Sequence, residues 1–413
     1  MAITNLTVSN FKSFKQLDLN LGRFNVVIGA NASGKSNFVE IFRFLKALER
    51  EDLNDAVSLH GGRESILNRR LGSSEPLRMR ATSDRQMSYG ILSYVQVYET
   101  IYDFSIEFES PQNGAIVKDD HFTEKMRIQP SDEATEMRVD ILMSDGKRKV
   151  EVGPQNLIDR IKDTNDPWLS TPYHHMDNFS DIIERWTANA LLIRMNFFGF
   201  AGALDNPFGG VGVYDIEPLE VKRPHGKAGR ASLERNGENL TLVLKSILAD
   251  PEKTRKFHNL LRYVLPFAVE IGVEDFLGMS LLLKLREEYY EDSLLANLLS
   301  DGTVDVVGLI TALFFEDKDV VILEEPERNI HPRLISGLVE LMKDASRNKQ
   351  IIVTTHSPEL VKHAGLENLL LISRDKEGFS TISRPAEKEA VKIFLQHDLG
   401  LDDLFVQDLL AVP

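Results

Sequence analysis

The stretch Phe24-Asn25-Val26-Val27-Ile28-Gly29-Ala30-Asn31-Ala32-Ser33-Gly34-Lys35-Ser36-Asn37 joins a short apolar, β-branched run to a glycine loop. Phe38, Ile41, Phe42, Leu45 and Leu48 follow at helical spacing, so the order reads strand, loop, helix. Gly29 to Ser36 meets the pattern G-x-x-x-x-G-K-[ST] in that setting. The glycines let backbone N–H groups turn inward as an anion nest, and the helix amino terminus adds the positive end of its dipole. The ligand expected here is a nucleotide with Mg²⁺. Gly29, Ala30, Asn31, Ala32, Ser33, Gly34, Lys35, Ser36 and Asn37 are its expected contacts. Lys35 would bridge the β- and γ-phosphates and Ser36 would ligate the metal.

A second buried run, Val320-Val321-Ile322-Leu323, ends in Glu324-Glu325-Pro326-Glu327. Carboxylates at the carboxyl end of such a strand stand where open α/β sheets place their ligands. Glu324 is positioned to hold Mg²⁺, and Glu325 to orient and deprotonate an attacking water. Taken alone, an acidic cluster after a strand is a solvated turn; the glycine loop is what gives this one a catalytic reading.

Outward from these two stretches, the 413 residues carry 48 Lys+Arg and 63 Asp+Glu, a net charge of −15. That balance argues against unselective coating of nucleic acid and leaves room only for a local basic groove. With no cysteine, disulfides, thiol catalysis and cysteine-ligated metal centres are excluded. The longest uncharged apolar run, Val306 to Phe315, is about half of a membrane span, and the first residues lack a signal-peptide pattern. A cytoplasmic protein without membrane association is expected.

Residues 80–150 alternate in short stretches separated by turn sequences and predict antiparallel hairpins. Residues 151–235 share no period with either flank and read as a largely helical insertion or lid. The partition expected is 1–150 and 236–385 as two ATPase lobes, 151–235 as the insertion, and 386–413 as C-terminal helices. Two basic clusters, Arg63, Arg69, Arg70, Arg78, Arg80 and Arg85, and Lys222, Arg223, Lys227 and Arg230, either solvate a face or meet phosphates. Asp402-Asp403 reads as a helix cap.

The order GANASGKS, LLSDGT, VVILEEPE and TTHSP resembles the ABC-type ATPase head of SMC, RecF and OLD (overcoming lysogenization defect) proteins, closest to stand-alone bacterial predicted ATPases of that branch. The opening ITNLTVSNFKSFKQLDLNLGRFNVVIG is similar to their first strands. The resemblance implies an α/β fold: a P-loop head with a mixed sheet, an antiparallel β lobe and the insertion. It places Leu299-Ser300-Asp301-Gly302-Thr303 as the signature, in which Ser300 and Gly302 close on the γ-phosphate held by another subunit. The same residues also suit an ordinary helix cap. His356 takes the place of the switch histidine, His331 that of the segment crossing the dimer interface, and Lys12 that of a basic contact to the nucleotide; Gln96 is the guess for the Mg²⁺-sensing loop. Glu324 and Ala32 depart from the more usual Asp and Gly.

The resemblance further implies a homodimer or higher even oligomer closing around Mg·ATP, hydrolysis that releases it, and a separate effector protein, possibly a TOPRIM-type nuclease, in bacterial anti-phage defence. Only 57 residues follow His356, too few for a TOPRIM domain on this chain. The alternatives are a DNA-repair ATPase of RecF/SMC type that binds DNA ends or gaps, and a nucleotide-gated assembly scaffold with little turnover.

Overall fold

The computed structural model describes residues 1–84, 87–89, 92–108, 114–128, 135–144, 147–154, 191–192, 198–199, 202–203, 208–396 and 400–411. In chain order its strands are β1 (Ile3–Phe11), β2 (Phe14–Asn20), β3 (Phe24–Ile28), β4 (Leu77–Ser83), β5 (Met87–Tyr89), β6 (Leu92–Phe108), β7 (Ala115–Ile128), β8 (Thr135–Ser144), β9 (Lys147–Gly153), β10 (Phe198–Gly199), β11 (Gly202–Ala203), β12 (Val211–Tyr214), β13 (His225–Gly226), β14 (Ala268–Phe276), β15 (Ser280–Glu287), β16 (Leu294–Leu295), β17 (Val320–Glu324), β18 (Gln350–Thr354), β19 (Leu369–Arg374) and β20 (Ser380–Ser383). The principal helices are α1 (Lys35–Arg50), α2 (Leu240–Leu248), α3 (Pro251–Val264), α4 (Asp301–Phe314), α5 (Pro332–Ala345), α6 (Pro358–Ala364), α7 (Glu389–Gln396) and α8 (Leu401–Val406).

The chain divides into two units. Unit 1 comprises Met1–Leu21, Ser36–Gly210 and Arg374–Ile382. Its sheet runs β2-β1-β4-β6-β7-β8-β9, with β5 on β6, and every pairing is antiparallel. The hairpins expected over residues 80–150 are these strands. In β4 the pleat sends Leu77, Met79 and Ala81 inward and Arg78 and Arg80 outward, the alternation of a sheet with one wet face. Phe11, Phe38, Phe42 and Phe44 are fully buried, with Phe38 edge-on to Phe42 at 5.4 Å.

Unit 2 comprises Gly22–Lys35, Val211–Ser373 and Ser383–Pro413. Its sheet has the order β12-β17-β18-β3-β19-β20, and β12, β17, β18, β3 and β19 run parallel. Parallel strands covered on both faces carry near-continuous apolar runs rather than alternation, and β3 and β18 are buried at every residue, the polar Asn25, Gln350 and Thr354 included. Leu244, Phe257, Val304, Ile310, Leu338 and Met342, from α2 to α5, share one core with this sheet. A small antiparallel sheet, β13-β15-β14 with β16 on β15, precedes α4.

The units cut across the partition expected from sequence. Residues 155–190, the centre of the expected insertion, lie outside the described residues. From Val211 the chain belongs to unit 2, because β12 pairs in parallel with β17, Val211 opposite Val320. The segment after β12 is tied in as well: Asp215 N–H donates to Arg235 O at 2.9 Å, and Leu233 N–H to the buried Glu316 carboxylate at 2.9 Å. Likewise β3 belongs with residues 211–373 rather than with 1–150, since its ladder bonds go to β18 and β19. A four-residue strand such as VGVY is too short to show a period against its flanks.

Candidate active site

The loop between β3 and α1 holds three residues at positive φ: Gly29 at 152°, Ala32 at 60° and Gly34 at 122°. Gly29 is required by space as well, for a Cβ there would lie 2.3 Å from the Ile372 carbonyl oxygen. Ala32 accepts a left-handed backbone that costs a non-glycine residue roughly 1–2 kcal/mol, strain typical of a ligand-binding loop. Lys35 is buried, and its Nζ donates to the carbonyls of Gly29 (2.7 Å) and Ala30 (3.1 Å). Burial pushes its pKa below the ordinary lysine value, against the pull of the Glu325 carboxylate. An anion entering the loop would offset that cost by coulombic attraction, as the Glu325 carboxylate does in part. Ser36 is exposed at the start of α1.

β17 delivers Glu324 to its carboxyl end, and the backbone then turns through Glu325 at φ 43°, an unusual angle for a residue with a side chain. Glu325 N–H still donates to Thr354 O at 2.9 Å, so the strained residue is pinned to β18. Glu325 Oε1 lies 3.6 Å from His356 Nε2, and its Oε2 lies 3.3 Å from Arg328. Burial and the neighbouring Lys35 push the His356 pKa down, while Glu325 opposes them, so the neutral imidazole is the favoured form. Lys35, Glu325 and His356 thus form one electrostatic cluster within unit 2.

Asp215, Arg235 and Arg328 stand around this cluster and were not singled out in the sequence. Arg235 lies 3.5 Å from Glu324 and 3.3 Å from Asp215, and Arg328 lies 3.5 Å from Asp215. Asp215 follows β12 as Glu324 ends β17, so both carboxylates stand at the carboxyl ends of parallel strands, but no signal in the sequence marks the four residues of β12 as such a strand. Glu327 was quoted in the motif without a role. Its Oε1 accepts from Thr355 Oγ1 (2.5 Å) and from His356 N–H (3.3 Å), and burial pushes its pKa up.

Ser300 caps α4: its Oγ accepts from Thr303 N–H at 3.1 Å and lies 2.8 Å from Thr303 Oγ1. Gly302 packs so closely that a Cβ would meet Asn329 O at 2.4 Å. Asn329 in turn donates to Asp305 on α4 at 3.0 Å. Desolvation, helped by Asp301, pushes the Asp305 carboxyl up to about 7. His331 is the amino cap of α5, its Nδ1 accepting from Arg333 N–H at 3.2 Å.

In unit 1, Lys12 sits at φ 47° with its Nζ 3.7 Å from Glu40. Glu40 is lowered to about 2: burial acts upward, but bonds from His60 and Arg43 outweigh it. Lys12, Ser13, Asn37, Asn68, Arg70 and Phe379 line a cavity of about 480 Å³. Gln96 does not lie in a loop; it pairs with Ser88 and Arg127 inside β6, which excludes the Mg²⁺-sensing loop assignment. Lys222, Arg223, Lys227 and Arg230 pair with Asp301, Glu220, Asp275 and Glu234, so the second basic cluster is neutralised within the chain. Arg85 lies outside the described residues. Asp403 Oδ2 accepts from Gly400 N–H at 3.2 Å, the cap expected at α8.

A glycine loop between a parallel strand and a helix, with paired carboxylates ending β17, which is separated from β3 by the one strand β18, is the arrangement of a P-loop ATPase head of ABC type. The family profile described as "AAA domain, putative AbiEii toxin, Type IV TA system" matches residues 24–362, and the chain belongs to that family. An uncharacterized protein of Methanocaldococcus jannaschii, MJECL43, is 29% identical over 94 residues, 22% of this chain and 24% of that protein. Endonuclease GajA of Bacillus cereus is 42% identical over 45 residues, 11% of this chain and 8% of GajA. The matched segments thus span a quarter or less of these curated relatives. Among solved structures, an SMC head bound to the C-winged helix domain of ScpA aligns with TM-score 0.46 and 13% identity, covering 93% of this chain and 98% of that one. The SMC head domain of Thermotoga maritima aligns with TM-score 0.42 and 14% identity, covering 93% and 99%.

Proposed function

We propose that the chain binds and hydrolyses ATP with Mg²⁺, dimerises around it, and switches a separate protein by its nucleotide state. The observation that carries this reading is the convergence of Lys35, Glu325 and His356 in unit 2, with Glu325 Oε1 3.6 Å from His356 Nε2. Mg²⁺ is usually held by one or two protein ligands and the phosphates; Ser36 and Glu324 are the residues that would hold it. When bound, the ion neutralises charge on the phosphates.

The chain's own part is positioning. Lys35 exchanges the Gly29 and Ala30 carbonyls for phosphate oxygens, and Glu325 orients and deprotonates the water. The neutral His356 supplies a hydrogen bond to the γ-phosphate, and Ser300 and the Gly302 backbone of a second subunit complete its cradle.

The family's description names a toxin of a type IV toxin–antitoxin system, and the short likeness to an endonuclease supports a defence setting. The ion-paired second basic cluster weighs against DNA as the default partner.

Phosphate release and nucleotide binding by wild type, Lys35→Ala and Glu325→Gln test the reading. Glu325→Gln should lower turnover about 10²–10⁴-fold while keeping ATP bound, and Lys35→Ala should lose binding. Unchanged turnover in Glu325→Gln would remove the general-base assignment, and unchanged binding in Lys35→Ala the phosphate assignment.

A further inference from the structure

We infer that Glu327 is a positioning residue that sets the switch histidine against the catalytic carboxylate; this rests on the roles proposed above for Glu325 and His356. The turn after β17 is closed by Arg328 N–H donating to Glu325 O at 3.0 Å and Ile330 N–H donating to Glu327 O at 3.0 Å. Glu327 Oε1 then gathers two donors from the loop after β18, Thr355 Oγ1 at 2.5 Å and His356 N–H at 3.3 Å. Thr355 is fully buried, and its Oγ1 also accepts from Ser357 N–H at 2.9 Å. Ser357 Oγ caps α6 through Leu360 N–H at 3.3 Å. A continuous hydrogen-bonded chain therefore runs from the carboxylate turn to the helix after the histidine.

His356 is held by two carboxylates with different tasks. Glu327 fixes its backbone, and Glu325 faces its ring, with 3.6 Å between Oε1 and Nε2. Because both carboxylates hang from one short turn, the place of the imidazole relative to Glu325 is set by the Glu327 clamp. The other oxygen, Glu327 Oε2, is buried and has no hydrogen-bond partner among the described residues. An orphaned buried acceptor destabilises a fold, so the carboxylate is poorly accounted for as a stabilising device. Its bonded oxygen, which a glutamine also possesses, is what the clamp requires.

The test measures steady-state ATP hydrolysis and nucleotide affinity in the full-length chain for Glu327→Ala, Glu327→Gln, Thr355→Val and the Glu327→Ala/Thr355→Val pair, with Glu325→Gln as reference. Loss of an outer hydrogen-bonding partner typically lowers activity 10–100-fold. Glu327→Ala should lower kcat by that factor with KM for ATP changed less than about threefold. Glu327→Gln should recover kcat to within a few-fold of wild type. Thr355→Val cuts the same clamp from the other side, so the pair should lose no more than the worse single variant. If Glu325→Gln abolishes turnover while Glu327→Ala keeps wild-type kcat, the inference fails and the proposed function stands. Additive losses in the pair, or an equal loss in Glu327→Gln, also overturn it. If Glu325→Gln itself is silent, the underlying reading of the site fails first.

Discussion

Asp305→Asn removes a charge from the core of unit 2 with little change of shape. Asp305 lies on α4, is 5% exposed, and accepts from Asn329. Burial is the main force raising its pKa from 3.8 to about 7. The difference is about 3 units, and at ~1.36 kcal/mol per unit its ceiling is ~4 kcal/mol. The folded state holds the proton more tightly than the unfolded chain. Below pH 4 both states are protonated and the effect vanishes. From about pH 4 to 7 the unfolded carboxyl ionises while the folded one does not, so stability falls as pH rises; above 7 both are ionised and the full penalty is present. Asparagine cannot ionise and lacks this slope. Melting curves of wild type and variant should therefore coincide near pH 4 and separate toward pH 8, with the variant the more stable. At roughly 2–4 °C per kcal/mol for a unit of 150–250 residues, the separation is at most ~8–16 °C. An offset that does not vary with pH, or a variant less stable than wild type at pH 8, would refute the assignment of a buried charge at this position.

Gly302→Ala should destabilise by about 1–3 kcal/mol, because the new Cβ meets backbone, Asn329 O at 2.4 Å, and no side chain can swing away; an unchanged urea midpoint would contradict the close packing. Ser300→Ala should cost about 1 kcal/mol through the lost cap. In a dimeric ATPase it should also lower kcat by more than Ser300→Thr does, which phosphate-release kinetics would show.

The glycine loop and the carboxylate pair were legible because each is a local pattern whose chemistry needs those residues at that spacing. The cap at Ser300 was legible for the same reason. What could not be read is what the fold brings together from afar. Asp215, Arg235 and Arg328 are ordinary charges in the chain, and only the parallel pairing of β12 with β17 sets Asp215 among them. Glu327 shows its role only once β18 places Thr355 beside it. The boundary near residue 211 was hidden because a strand buried on both faces carries no alternation to mark it. Gln96 was misplaced for a related reason: in a stretch of alternating residues, a glutamine on a strand is indistinguishable from one in a loop.

The two readings of Ser300, helix cap and anion contact, are compatible. A hydroxyl has two lone pairs and one proton to give. Ser300 Oγ accepts from Thr303 N–H at 3.1 Å, and Thr303 Oγ1 lies 2.8 Å away with either hydroxyl able to donate. When Thr303 donates, both lone pairs of Ser300 are used and its proton is left for another acceptor. The cap then fixes the oxygen while leaving the proton free, which is what a neutral donor to a phosphate requires. Gly302, pressed against Asn329 O, fixes the same helix end against the segment that leads from Glu325 to His331. Glu327, on that segment, holds the loop of His356. One stretch of seven residues, Glu325 to His331, is therefore packed against the start of α4 and bonded to the loop after β18 of the same chain. If the chain dimerises as proposed, with the start of α4 serving the partner's nucleotide, a shift of His356 at one γ-phosphate would be felt at the other through this turn. The sequence separates these groups by 24 to 56 positions, measured from Ser300 to Glu324 and to His356; the fold brings them to one short turn.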